Sequence, residues 1–172
     1  MPPIRVPLSR PIEVSSIPPE GLEVDVEAQE AERRALAEDF GIRAVHRLAA
    51  HYRVRRVTGG VRVDGTVSAE VEQSCVVTLE PVTSPVGEAV DLMFSEHAGA
   101  PDAPAEDVVR MGERDPPEPI VNGRIDLGAV TAEFLALGLD PYPRKPGVAY
   151  DPAPERDPAD SPFAALAKMK KP

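Results

Sequence analysis

Eight basic side chains crowd twenty residues of an otherwise acidic chain: Arg43, His46, Arg47, His51, Arg53, Arg55, Arg56 and Arg62. No acid lies between 42 and 62, so that segment sums to +6 with neutral histidines. Residues 1–41, 63–96 and 97–133 sum to −5, −7 and −5. Guanidinium groups suit phosphate because their forked donors match its oxygens. On a strand, His51, Arg53 and Arg55 share one face, with side chains ~6.6 Å apart. That spacing is close to the roughly 6 to 7 Å between successive phosphates of a nucleic-acid strand, which makes RNA contact physically reasonable. The RNA-binding candidates are therefore Arg47, His51, Arg53, Arg55, Arg56 and Arg62. The bland alternative is that these arginines pair with Asp64, Glu70 and Glu72 across a hairpin, as opposite charges on neighbouring strands ordinarily do. Base stacking has little to work with, since Tyr52 is the one aromatic residue in the segment.

Other chemistry is thinly represented. Gly59-Gly60 lacks the context of a phosphate-binding loop, and neither a G-x-S-x-G elbow nor an H-E-x-x-H pair occurs. His46 and His51 are five apart and face opposite sides of a strand, so a metal there has to recruit distant carboxylates. Cys75 reads as a small buried apolar residue, with no base nearby in sequence to activate it. Asp126 reads as a helix cap, and Glu70 and Glu72 as residues of a solvated strand face. The acid count permits a metal-assisted nuclease, but no spacing singles out a two-metal site. No catalytic residue, metal site or cofactor is assigned, and the expectation is a protein that is not an enzyme.

The chain has 172 residues, a net charge of −10 and one cysteine. Its length fits one domain, placed at 1–150, with a flexible tail over 151–172. One cysteine excludes a disulfide framework within the chain. An acidic balance disfavours sequence-blind nucleic-acid binding and favours basic protein partners. No apolar run approaches the ~18 residues of a membrane span. Residues 1–12 carry no apolar stretch of the secretory kind, so a cytoplasmic location is expected. Aromatic residues are 4% of the chain, so Val, Leu, Ile and Ala must build the core.

The elements that position the basic segment follow from periodicity. Val61, Val63, Gly65, Val67, Ala69 and Val71 alternate with polar residues, which predicts a long half-buried strand. Residues 43–57 predict another, with Leu48, Ala50, Tyr52 and Val54 on its apolar face. Gly59-Gly60 between them marks a hairpin. A third strand is expected over 86–94, an opening edge strand over 4–17, and a short return through Asn122-Gly123 over 120–125. Residues 27–40 predict a helix with Ala28, Ala31, Ala35 and Leu36 as its stripe. A second helix follows the Asp126 cap, with Leu127, Val130, Phe134 and Leu137 apolar. Segment 97–119, rich in Pro, Ala and acids, reads as a mobile loop, and 162–171 as a short terminal helix. The fold class is α+β: an antiparallel meander of about four or five strands, packed with one or two helices, with a disordered acidic loop and tail.

Ser74-Cys75-Val76-Val77-Thr78-Leu79-Glu80-Pro81 resembles the C-x-x-C-L-x-P signature of the bacterial YceD family, the large ribosomal RNA subunit accumulation proteins. The stretches 115–120, 125–128, 135–144 and 162–168 support the resemblance, which runs from about residue 8 onward, and the last is similar to alphaproteobacterial members. Many relatives carry two cysteine pairs. Here Thr78 stands at the second position of the first pair, and the second pair, expected near 143–147, is missing. Metal dependence is therefore not carried over. The resemblance implies a non-catalytic role in accumulation or maturation of large-subunit (23S) ribosomal RNA and in ribosome biogenesis. It implies as partners an rRNA precursor, a ribosomal protein or an RNA-processing enzyme. The alternative is an acidic adaptor or chaperone for a basic ribosomal protein that touches no RNA. Oligomeric state stays open.

Overall fold

The computed structural model describes residues 7–98 and 116–149. Most of the loop read at 97–119, and the tail and terminal helix read at 151–172, lie outside the described residues. Strands β2 (Leu22–Glu27), β3 (Ala44–Val57), β4 (Gly60–Ser74), β5 (Pro81–Ser95) and β6 (Glu118–Pro119) form one sheet in that order. The first four pair antiparallel, and β6 joins β5 in parallel over two residues. Helix α1 (Glu30–Asp39) connects β2 to β3. Strands β1 (Pro11–Glu13) and β7 (Arg124–Asp126) pair separately, and α2 (Leu127–Leu137) follows at once. The architecture is α+β.

The hairpin is as the alternation dictates. Val54 faces Val63 and Tyr52 faces Gly65 across the β3–β4 register. Leu48, Tyr52, Val54, Val61, Val63, Val67 and Val71 are all buried, while the intervening polar residues line the opposite face. The loop is Thr58–Gly59, one residue earlier than the glycine pair indicated, and Gly60 already belongs to β4.

Several expectations need correction. Residues 22–26 carry no predicted element and Glu27 is placed in the helix, yet 22–27 form β2, with Leu22, Val24 and Val26 alternating against Glu23, Asp25 and Glu27. That pattern is short and sits beside the acidic start of α1, whose helical periodicity overlaps it. The helix itself begins at Glu30, three residues later than read. Gln29 caps it: its side chain accepts from the backbone N–H of Glu32, whose carboxylate accepts from the Gln29 N–H. Ala31 is exposed and Ala37 is buried in its place. Strand β5 starts at Pro81, five residues earlier than read, because Pro81 and Pro85 sit on a strand whose far side is paired only at Phe94 and Ser95. The opening strand shrinks to Pro11–Glu13, and Val14–Ser16 turns into a single 3-10 turn.

Asn122 and Gly123 both have positive φ, 52° and 71°, which defines the tight turn leading from Val121 to Arg124. Helix α2 then packs on the buried sheet face through Leu127, Val130, Thr131 and Leu135. Leu137 is 69% exposed, against expectation. The buried stripe instead includes Thr131, whose hydroxyl meets that of Tyr52 at 2.8 Å.

Asp126 is the cap that the sequence reading places there. Its Oδ1 accepts from the backbone N–H of Gly128 at 2.9 Å and of Arg10 at 2.6 Å, and Ser9 Oγ donates to Oδ2 at 2.6 Å. One carboxylate thus joins the helix start to the N-terminal segment. Asp126→Ala is expected to destabilise the fold by about 2 kcal/mol, the upper end for a cap, since the Arg10 amide also loses its acceptor. Urea unfolding measures this, and a loss below ~0.5 kcal/mol would contradict the bridging role.

Candidate functional site

Strand β3 places His51, Arg53 and Arg55 on the outer sheet face, as its alternation requires, together with Arg47. A register shift between Val45 and Arg47 lets His46 and Arg47 both reach solvent. The neighbouring strands bring acids to the same face. Arg53 donates to Glu23 of β2 at 3.0 Å, and Arg55 to Asp64 of β4 at 2.6 Å. Arg62 grips Asp91 of β5 through Nε at 2.9 Å and Nη2 at 2.6 Å. Asp91 holds the Arg62 guanidinium pKa above its usual value, first through that hydrogen bond. His51 Nδ1 lies 2.8 Å from Asp25 Oδ1. Arg43 Nε donates to Glu72 at 2.9 Å, with His46 Nε2 at 3.3 Å from the other oxygen. These contacts hold the Glu72 carboxyl below its ordinary range. Exposed pairs of this kind add little stability because water screens them. Their effect is to cancel the strand's positive charge locally.

The sequence candidates thus divide. Arg53, Arg55, Arg62 and His51 are paired with carboxylates. Arg47 lies opposite Glu70 in register, but among the described residues it makes no ion pair. Arg56 turns off the face at the hairpin end and donates to the carbonyl oxygen of Val14, which leaves its charge without a carboxylate among the described residues. The expected cross-hairpin pairs occur for Asp64 and Glu72. Glu23 and Asp91 supply the others, from strands that local spacing did not reveal. Among the described residues no three His, Cys, Asp or Glu side chains gather as metal ligands, and no helix is long and apolar enough to cross a membrane.

A second constellation surrounds Cys75, just past the end of β4. The Cys75 N–H donates to the Glu80 carbonyl, and the Leu79 N–H returns to the Cys75 carbonyl, closing a tight turn. Leu79 has φ 62°, uncommon for a bulky residue, and is 74% exposed. The Val76 N–H donates to the Pro143 carbonyl, and Lys145 Nζ bridges to Glu80 at 2.9 Å. The Cys75 sulfur is buried and accepts from the N–H groups of Thr78 and Lys145, each at 3.5 Å. Hydrogen bonding, chiefly from the Thr78 side chain and then from these amides, brings the thiol pKa down to about 6. Sequence reading saw a small apolar residue because none of these donors precedes Cys75, and Lys145 is seventy positions away.

This corner predicts a pH effect with a defined sign. The folded thiol ionises near 6, below the ordinary 9.0, so the unfolded state binds more protons between those values. The contribution of Cys75 to stability is therefore present above pH 9 and lost as pH falls toward 6. Unfolding midpoints of wild type and Cys75→Ser are expected to diverge as pH rises across that window. Parallel curves would show that the folded sulfur stays a thiol.

What emerges is an α+β protein built on a long hairpin, with one sheet face packed against helices and the other a charged, ion-paired ladder. Residues 63–170 match the family model described as large ribosomal RNA subunit accumulation protein YceD. The chain belongs to this family, which ties it to accumulation of large-subunit ribosomal RNA. The matched span begins inside β4 and includes the Cys75 turn and α2, whereas β1, β2, α1 and β3 precede it. Comparison with curated proteins and with solved structures gave no match.

Proposed function

We propose that this protein supports large-subunit ribosomal RNA accumulation and processing as a non-catalytic cytoplasmic factor that binds the rRNA precursor. The supporting observation is that Arg47 and Arg56 make no ion pair with a carboxylate among the described residues, which leaves their guanidinium groups available to phosphate. The paired arginines Arg53, Arg55 and Arg62, with His51 beside them, must exchange a carboxylate for a phosphate and contribute less. A second reading has its own support. Glu27 and Glu70 stand on the same outer face and make no salt bridge among the described residues, and the net charge is −10. Such a surface steers toward basic proteins, which fits an adaptor or chaperone for a ribosomal protein or a link to a processing enzyme.

Affinity purification with and without ribonuclease separates the two. Large-subunit rRNA precursors are expected in the untreated sample, and Arg47→Ala combined with Arg56→Ala is expected to reduce them severalfold. Arg53→Ala with Arg55→Ala should reduce them less. A ribosomal protein that survives ribonuclease, with rRNA unaffected by any of these substitutions, would sink direct RNA contact and establish the adaptor.

A further inference from the structure

At the hairpin end, β3 and β4 meet the small β1–β7 sheet across a groove of about 670 Å³, within the range of ligand sites. Gly59 and Gly60 of the hairpin, Asn122 and Gly123 of the turn before β7, and Val14 and Ser15 of the 3-10 turn all line it, with His97 beside them. Val57 and Ile120 give it an apolar lining, and Val57 is 40% exposed. Arg56 and Arg124 bring two guanidinium groups to it, and Glu13 and Glu96 two carboxylates. Arg124 Nη2 donates to Glu13 Oε1 at 2.9 Å, which uses one of its five N–H groups. Arg56 meets a neutral carbonyl oxygen and keeps its full charge.

This mixture discriminates among ligands. A bare anion gains from Arg56 and Arg124 but is repelled by Glu13 and Glu96. A wholly apolar ligand leaves four charged groups to be desolvated without recompense. A ligand with a flat apolar body, edge amino groups and one phosphate satisfies all three kinds of lining. We propose that the groove holds one nucleotide of single-stranded RNA, its phosphate on Arg56 and Arg124, its base against Val57 and Ile120, and its exocyclic amine on Glu96. The inference rests on the RNA reading above and deepens it, giving Arg56 a lined groove at the hairpin end and adding Arg124, which lies outside the basic segment.

The test uses the full chain, fluorescein-labelled short single-stranded RNA and amide NMR shifts at low salt. Saturable binding is expected, with shifts at Gly59, Gly60, Asn122 and Gly123. Arg56→Ala and Arg124→Ala are each expected to weaken binding about tenfold. Each should flatten the slope of log affinity against log salt by about 0.7. Arg56→Lys should restore part of the loss, and Arg34→Ala, on α1 and outside the groove lining, should change little. Oligo-A and oligo-C should bind tighter than oligo-U, which has no exocyclic amine, and Glu96→Gln should narrow that gap. Because amide shifts are read on the wild type, a poorly folded variant does not blunt the test. RNA binding that ignores Arg56 and Arg124 and shifts the sheet face instead would overturn the groove while leaving the RNA reading intact. No RNA binding at low salt, with a basic protein shifting the groove amides, would overturn both.

Discussion

Tyr52→Ala is expected to destabilise the protein by about 3–5 kcal/mol, the range for removing a buried aromatic side chain. Tyr52 is fully buried and is the largest such side chain among the described residues. Its ring covers Gly65 in the hairpin register, and its hydroxyl reaches across to α2. Thr131 Oγ1 already donates to the Leu127 carbonyl at 2.7 Å, so the Tyr52 hydroxyl is the donor in their shared bond. Tyr52→Phe should therefore cost only about 1 kcal/mol, since Thr131 loses an acceptor's partner and nothing buried loses its acceptor. The two variants separate packing from the hydrogen bond, and equal losses would refute the division.

The same side chain gives an alkaline prediction. Burial pushes the Tyr52 phenol up to about 12 from its ordinary 10.0. Between those values the unfolded tyrosine ionises while the folded one does not. The stability held below pH 10 is thus lost as pH rises toward 12, and Tyr52→Phe should be flatter over that window.

Gly65→Ala is the second large effect, expected to cost about 3 kcal/mol. A Cβ at Gly65 would stand 2.1 Å from the His51 carbonyl oxygen and 2.8 Å from Tyr52 Cδ1. The ring can rotate away, but a carbonyl within the β3–β4 ladder cannot move without opening the strands. In the double variant with Tyr52→Ala, the ring clash vanishes and the carbonyl clash stays. The combined loss should fall short of the sum by about 0.5–3 kcal/mol, as for residues in contact. Strict additivity in urea unfolding would show that the ring and the glycine do not share the site.

Local pattern carried much of this architecture. Alternating valines determined β4 and its buried face, and the Leu48–Val54 parity did the same for β3, because a period of two leaves no other face for the apolar set. Asp126 announced α2 and Asn122-Gly123 the turn before it, since caps and turns are chemistry of adjacent residues. Acid-free 42–62 revealed a basic strand. It offered Asp64 and Glu72 as partners across the hairpin, but not the acids that β2 and β5 supply. Glu23 pairs with Arg53 from thirty residues away, and Asp91 with Arg62 from twenty-nine, because the register of β2 and β5 brings them there. Tertiary structure decided which of the arginines are neutralised, and it leaves Arg47 and Arg56 without a carboxylate ion pair among the described residues. It also brought Arg124 beside Arg56 at the hairpin end, and Lys145 beside Cys75. Strand pairing and chain return place charges by three-dimensional register, whereas sequence records only their order. The chain's own pattern therefore determined the basic segment, and the packing of the strands around it decided which of its charges remain available to a partner.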